Sequence, residues 1–193
     1  MALTTLDPVT ALIVVDLQRG LMGSTFIHPI GDIVTRAQHL VAAFRRNRLP
    51  IALVNVDGTA PGRTERPRQV QPFPDGWTDL LPELGKQPDD IAVTKRTWGA
   101  FASTDLEHQL RRRGVTQVVM AGVATGTGVE ATARQAYEAG FNVTLAVDAM
   151  TDARPEAHDY SIISVFPRLG ETGATQAIID LLERTHTNER ACP

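Results

Sequence analysis

Four runs along the chain are apolar and β-branched without a break in pattern: Ala11–Asp16, Ile51–Asp57, Gln117–Val123 and Asn142–Asp148, with Ile91–Lys95 a weaker fifth. None alternates apolar with polar positions. That pattern predicts strands covered on both faces, as in a parallel sheet between two helical layers. Between the runs the spacing becomes helical. In Ile33–Arg48 the apolar positions Ile33, Val34, Ala37, Leu40, Val41 and Phe44 fall on one face. Ser103–Arg113 opens with Ser-Thr-Asp and ends in three arginines before Gly114, a capped start and a dipole-matched stop. Val129–Ala139 stops in the same way at Gly140, and Ala157–Val165 and Ala174–Arg184 complete the helices.

Strands that alternate with helices imply βαβ crossovers and an α/β sandwich with a mostly parallel sheet. The stretch Gly58–Pro88 breaks the rhythm. It carries Pro61, Pro67, Pro72, Pro74, Pro82 and Pro88 together with Arg63, Arg66 and Arg68. A loop that long in a compact domain reads as a lid or an interface. The residues after Arg184 (185–193) read as a frayed tail, and the whole chain (1–193) as one domain.

Composition narrows the function. The net charge is −3, with 42% apolar and 21% charged residues. Such a balance exerts no general pull on nucleic acid or anionic lipid, so neither partner is expected. No apolar run approaches the ~20 residues of a membrane helix, and the first residues have no basic and apolar leader pattern. Cys192 is the single cysteine, which excludes an internal disulfide and a cysteine-based metal cluster. A cytoplasmic protein acting on a small molecule is the expectation.

In parallel α/β sheets, ligands bind beyond the carboxyl ends of the strands. The polar residues at those ends are Asp16, Asp57, Lys95, the turn Ala124–Gly128, and Asp148. A carboxylate and a lysine on neighbouring strand ends can form a buried acid–base pair. A G-x-G-x-x-G phosphate loop is absent, and no cofactor is expected.

Several segments together resemble the isochorismatase-like, or cysteine hydrolase, family: IVVDLQ (13–18), KRTWGAF (95–101), TDLEHQLRRRGV (104–115), AGVATGTGVEATARQAYEAGF (121–141), DAMTD (148–152) and FPRLGET (166–172). The resemblance spans nearly the whole chain. It implies a six-stranded, mostly parallel, Rossmann-like sheet flanked by helices, assembled as a homo-oligomer (dimer or tetramer). It also implies an Asp–Lys–Cys catalytic set, whose Asp and Lys correspond to Asp16 and Lys95. The cysteine position corresponds to Gly128, as in a subgroup with glycine there. The family's non-proline cis peptide would fall at Val123–Ala124, and its oxyanion hole at the N–H groups of Ala124 and Gly128.

Glycine has no nucleophile, so the thioester route of the family's amide-cleaving members is closed at this position. The family's true isochorismatases also carry Gly there; in them the Asp protonates an enol ether and water attacks. Enol-ether hydrolysis of a small anionic metabolite by Asp16 and Lys95 is therefore the reading taken forward. Two alternatives stand beside it: a catalytically silent ligand-binding or scaffold oligomer, and a C–N hydrolase with an unrecognised nucleophile such as Thr125 or Thr127.

Each residue also has a plainer role. Asp16 can order its loop, and Lys95 can serve only as its ion-pair partner. Gly128 can be small for packing alone. Glu130 and Arg134, one helical turn apart, read as a structural ion pair, and Asp148 and Asp152 as loop-ordering groups. Arg63, Arg66, Arg68 and Arg96 suit carboxylate binding, with Arg63 chosen as a substrate contact; Trp98 is expected to wall the pocket. The zinc cluster of the family's nicotinamidases would fall near Asp57, where no histidine occurs between His39 and His108, so no metal site is expected.

Overall fold

The computed structural model describes residues 3–65 and 72–190. Six strands form one parallel sheet: β1 (Thr10–Val15), β2 (Ile51–Val56), β3 (Ile91–Lys95), β4 (Gln117–Val123), β5 (Asn142–Thr151) and β6 (Glu171–Gly173), in the order β3-β2-β1-β4-β5-β6. The five apolar runs are the five longer strands. All six residues of β1 are buried, the expected result of covering both faces.

Because side chains alternate along a strand, each central strand feeds two cores. Leu12 and Val14 of β1 join Leu53, Val119 and Ala121 under α1 (Ile30–Arg46) and α6 (Thr175–Arg190). Ala11, Ile13 and Val15 face the other way, with Val54, Val118 and Met120, against α2 (Leu106–Arg112) and α3 (Glu130–Glu138). The periodic positions of α1, from Ile33 to Phe44, are all buried.

Three expectations need correction. The residues after Arg184 do not fray at once: α6 continues to Arg190, with His186 still buried, and only 191–193 lie outside the described residues. The helix expected over Ala157–Val165 is instead α4 (Pro155–Tyr160), a π-turn (Ser161–Val165) and α5 (Phe166–Leu169). Pro167 has no N–H for the carbonyl one turn back, so the regular ladder cannot run through it. Helix α2 starts three residues later than the Ser-Thr-Asp signal suggested. Thr104 Oγ1 donates to the Ala100 carbonyl and accepts from the Leu106 N–H at 3.1 Å, acting ahead of the first turn.

Strand β5 runs three residues past Asp148, and its pairing with β4 shifts between Met120 and Gly122. The shift carries Thr151 and Asp152 to the carboxyl end of β4. Gly122 has φ +117°, and a Cβ there would come within 2.0 Å of the Val15 carbonyl oxygen, so only glycine lets β4 approach β1 this closely.

Candidate active site

The chain leaves β1 toward β2 and β3 on one side and returns through β4 toward β5 and β6 on the other. The connections therefore diverge at the carboxyl ends of β1 and β4 and open a crevice there, the standard ligand position in such sheets. Asp16 sits at the end of β1. Its φ of 54° turns the chain sharply, while its N–H still donates to the Val54 carbonyl at 2.8 Å.

Lys95 ends β3, two strands away, and its long side chain spans the gap. Its ammonium lies 2.7 Å from Asp16 Oδ2 and donates to the Thr97 carbonyl at 3.2 Å. Both side chains are buried, at 2% and 7% exposure. Burial pushes the Asp16 carboxyl up from 3.8 to about 6, against the opposing pull of the Lys95 charge and its hydrogen bond. Asp16 Oδ1 is buried and has no hydrogen-bond partner among the described residues. One oxygen of the carboxylate is thus fixed by Lys95 and the other remains available.

The third component is the turn after β4. The Val123–Ala124 peptide is cis, and Thr125–Val129 forms a π-turn that leads into α3. The Ala124 carbonyl accepts from the N–H groups of Thr127 (3.2 Å) and Val129 (3.1 Å). Gly128 is buried against the carboxylate: a Cβ there would stand 3.1 Å from Asp16 Oδ2 and 2.9 Å from the Val123 carbonyl oxygen. Any side chain at 128 would point at the Asp16–Lys95 pair.

These groups share a cavity of about 420 Å³. Asp16, Lys95, Val123, Ala124, Thr127 and Gly128 form its polar end, and Leu21, Phe26, Val56, Phe73, Trp77 and Trp98 its apolar walls. Trp98 is 65% exposed and lines the mouth. The rings of Phe73 and Trp77 stack at 3.9 Å.

Of the residues expected from the sequence, Asp16, Lys95, Gly128, Val123, Ala124 and Trp98 come together here. Arg63 does not: it is exposed and absent from the lining, because the segment after β2 carries it outward. Arg96 is turned to Asp57, with nitrogen–oxygen distances of 2.9 and 3.0 Å. Arg66, Arg68 and Cys192 lie outside the described residues. Thr125 is withdrawn from the cavity lining, its hydroxyl 2.9 Å from His158 Nδ1. Glu130 and Arg134 pair at 2.9 Å, and Asp148 accepts from the Thr175 N–H and hydroxyl.

Several contributors were not singled out. Gln18 is fully buried, accepts from the Val56 N–H (2.7 Å) and donates to the carbonyls of Val56 (3.0 Å) and Trp77 (3.3 Å), which clamps the ends of β1 and β2 together. Its place two residues after Asp16 was the available signal. Thr132 Oγ1 donates to the Gly128 carbonyl (2.6 Å) and accepts from the Ala100 N–H (3.2 Å), joining the turn to the segment after β3. Phe26, Phe73 and Trp77 come from loops, where no periodicity marks them.

Residues 10–177 match the family model described as the isochorismatase domain. The chain is 39% identical over 179 residues to an uncharacterized isochorismatase family protein, YwoC, of Bacillus subtilis, covering 89% of this chain and 93% of that one. It is 29% identical over 183 residues to a ureidoacrylate amidohydrolase, RutB, of Methylobacterium radiotolerans, covering 79% and 71%. An isochorismatase family protein structure from Burkholderia thailandensis superposes with a TM-score of 0.89 at 37% identity, covering 93% of this chain and 98% of that one. With the parallel sheet and the match over residues 10–177 in agreement, the chain belongs to the isochorismatase family of hydrolases.

Proposed function

We propose that the chain hydrolyses an enol ether of the isochorismate kind, on a small anionic metabolite, without a covalent enzyme intermediate. The observation that supports this most is the pairing of a buried carboxyl, raised to about 6, with a bare glycine where a nucleophile would face it. Gly128 stands at the position of the cysteine of the family's amide-cleaving members, so the acid remains and the thiol does not.

In this reading protonated Asp16 gives its proton to the terminal carbon of the vinyl group, and the C=C electrons form the new C–H bond. The neighbouring carbon becomes oxocarbenium-like. Water adds to it and returns a proton to Asp16, and the hemiketal then breaks its C–O bond to release an alcohol and a keto acid such as pyruvate. A carboxyl that titrates near the working pH suits both transfers. The Lys95 ammonium, 2.7 Å away, stabilises the carboxylate left behind. The N–H groups of Ala124 and Gly128 polarise the substrate's anionic end. Trp98, Phe73 and Trp77 enclose the ring, and no cofactor takes part.

A second reading is favoured by the amidohydrolase relative: C–N cleavage with the hydroxyl of Thr127, a residue of the cavity lining, as nucleophile. The test is pyruvate release from isochorismate by the wild type beside Asp16→Asn. Release that disappears in the variant supports enol-ether hydrolysis. No release from either protein removes it. An acyl adduct found on the protein by mass spectrometry after incubation with ureidoacrylate would favour the second reading, and stabilisation by either compound without turnover would favour a silent binder.

A further inference from the structure

The Ala124–Gly128 turn is gripped by groups that the reaction above does not use. Asp152 Oδ2 accepts from the Gly126 N–H at 2.8 Å, and Asp152 Oδ1 from the Arg154 N–H at 3.1 Å. His158 Nδ1, on α4, lies 2.9 Å from Thr125 Oγ1. Thr125 is fully buried and His158 is 6% exposed. A buried hydroxyl is rarely left without a partner, and a threonine inside a helix commonly turns to the carbonyl one turn back. Thr125 opens its turn, so no such helical carbonyl precedes it; its hydroxyl pairs with the His158 imidazole instead.

The same histidine also packs against the segment that precedes α1. His28 packs edge-on against His158, with ring centres 5.0 Å apart. Its Nδ1 lies 3.1 Å from Thr151 Oγ1, and the Ile27 N–H donates to the Asp152 carbonyl at 2.9 Å. Phe26, next in the chain, lines the cavity, as does Ala153. One knot of contacts therefore lies between the turn and the loop that carries Phe26.

We propose that His158 is a positioning residue: through Thr125 it fixes the Ala124–Gly128 turn, and through His28 it links that turn to the Phe26 loop. The proposal rests on the turn's role in polarising the substrate, but its first readout needs no substrate. The groups facing His158 make the linkage sensitive to pH. Burial and His28 lower its affinity for a proton, while Asp159 on its own helix and Asp152 at the end of β5 oppose them. Glu130 of α3 is taken up by Arg134 and Ser161. Asp152, one of the two carboxylates that favour the charged ring, also holds the Gly126 and Arg154 N–H groups, so a proton gained by His158 is expected to be felt at the turn.

The test is NMR of the ¹⁵N-labelled chain, titrated in the Asp16→Asn background so that the Asp16 carboxyl is silent. The Gly126 amide is expected to titrate together with the His158 ring, below the ordinary histidine value of about 6.5. Thr125→Val and His158→Ala should shift the Gly126 and Gly128 amides and speed their hydrogen exchange roughly three- to tenfold, the effect of one lost hydrogen bond, with β1–β3 unmoved. His158→Asn, whose amide reaches the Nδ1 position, should restore the shifts but abolish the titration. Unchanged Gly126 and Gly128 amides in Thr125→Val, or a Gly126 titration that persists in His158→Asn, overturn the proposal. Should His158→Ala fail to fold, the other two variants decide. A positive NMR result with no pyruvate release would leave this inference standing and remove the enol-ether reading.

Discussion

Replacing Asp16 by asparagine tests the electrostatic core of the site without any substrate. In the folded chain the carboxyl binds its proton more tightly than in the unfolded one, at about 6 against 3.8. A group raised in this way contributes stability that is fully present below the unfolded value and is lost as the pH rises through the folded one. The window is therefore pH 3.8 to about 6, and the loss runs in the alkaline direction. At ~1.4 kcal/mol for each factor of ten, the gap amounts to about 3 kcal/mol. Asparagine does not titrate, so the wild type should lose most of this, about 2.5 kcal/mol, relative to the variant between pH 4 and pH 7.

Urea unfolding of both proteins across that range isolates the Asp16–Lys95 pair, because the titrating groups remote from it cancel in the difference. With a slope near ~3 kcal/mol per molar, the wild-type midpoint should fall by about 1 M relative to the variant. The variant also leaves the Lys95 ammonium buried without its carboxylate, which lowers its stability by about 3–5 kcal/mol. That cost moves the offset between the curves; the slope of the difference carries the test. A flat difference, or a wild type that gains on the variant as the pH rises, would refute the idea that burial outweighs the lysine at Asp16.

Three further outcomes are expected. Gly128→Ala places a Cβ 2.9 Å from the Val123 carbonyl oxygen and 3.1 Å from Asp16 Oδ2, so the turn must shift, with about 1–3 kcal/mol lost in urea unfolding and reduced turnover in any active assay. Gln18→Ala removes three hydrogen bonds at a fully buried position and should cost about 2–4 kcal/mol, seen by calorimetry as a midpoint lowered by roughly 5–15 °C. Trp98→Ala, at a side chain 65% exposed, should change stability by no more than ~0.5 kcal/mol yet raise KM, a split that a purely structural tryptophan would not produce.

The central strands were legible because both their faces are buried, which writes an unbroken apolar run. The edge strand β3 leaves Ala92 and Thr94 exposed, contrary to the expectation of two covered faces, and its run was accordingly the weakest of the five. Strand β6 has three half-buried residues, Glu171–Gly173, and is held by backbone pairing to β5, which leaves no mark on side-chain choice. The end of β5 was unreadable for a related reason. Its register shift past Met120 is set by how β4 and β5 pack, not by its own composition. Among site residues, those on strand ends and in the turn after β4 could be placed, since topology fixes where strand ends meet. Arg63 could not, because it sits in a long segment where arginine chemistry is compatible with a substrate contact and with open solvent alike.

What the structure adds to a list of site residues is their order of dependence. Asp16 can be buried because Lys95 reaches it from two strands away, and burial then raises its carboxyl against the pull of that lysine. The reach needs β2, and β3 paired to it, held against β1, where Gln18 clamps the ends of β1 and β2. Gly128 can stand against the carboxylate because Gly122 lets β4 close on β1 and because Thr132 and Asp152 hold the turn from two other elements. Removing the acid itself should therefore abolish chemistry while leaving the turn in place. Removing a holder such as Gln18 or Thr132 should instead lower stability and turnover together, since the same hydrogen bonds that keep the sheet ends closed also keep the carboxyl dry. The two kinds of variant separate on a plot of activity against unfolding free energy. Holders are expected to fall along one line and Asp16→Asn well below it, and an Asp16→Asn point on that line would assign the carboxylate a structural role only.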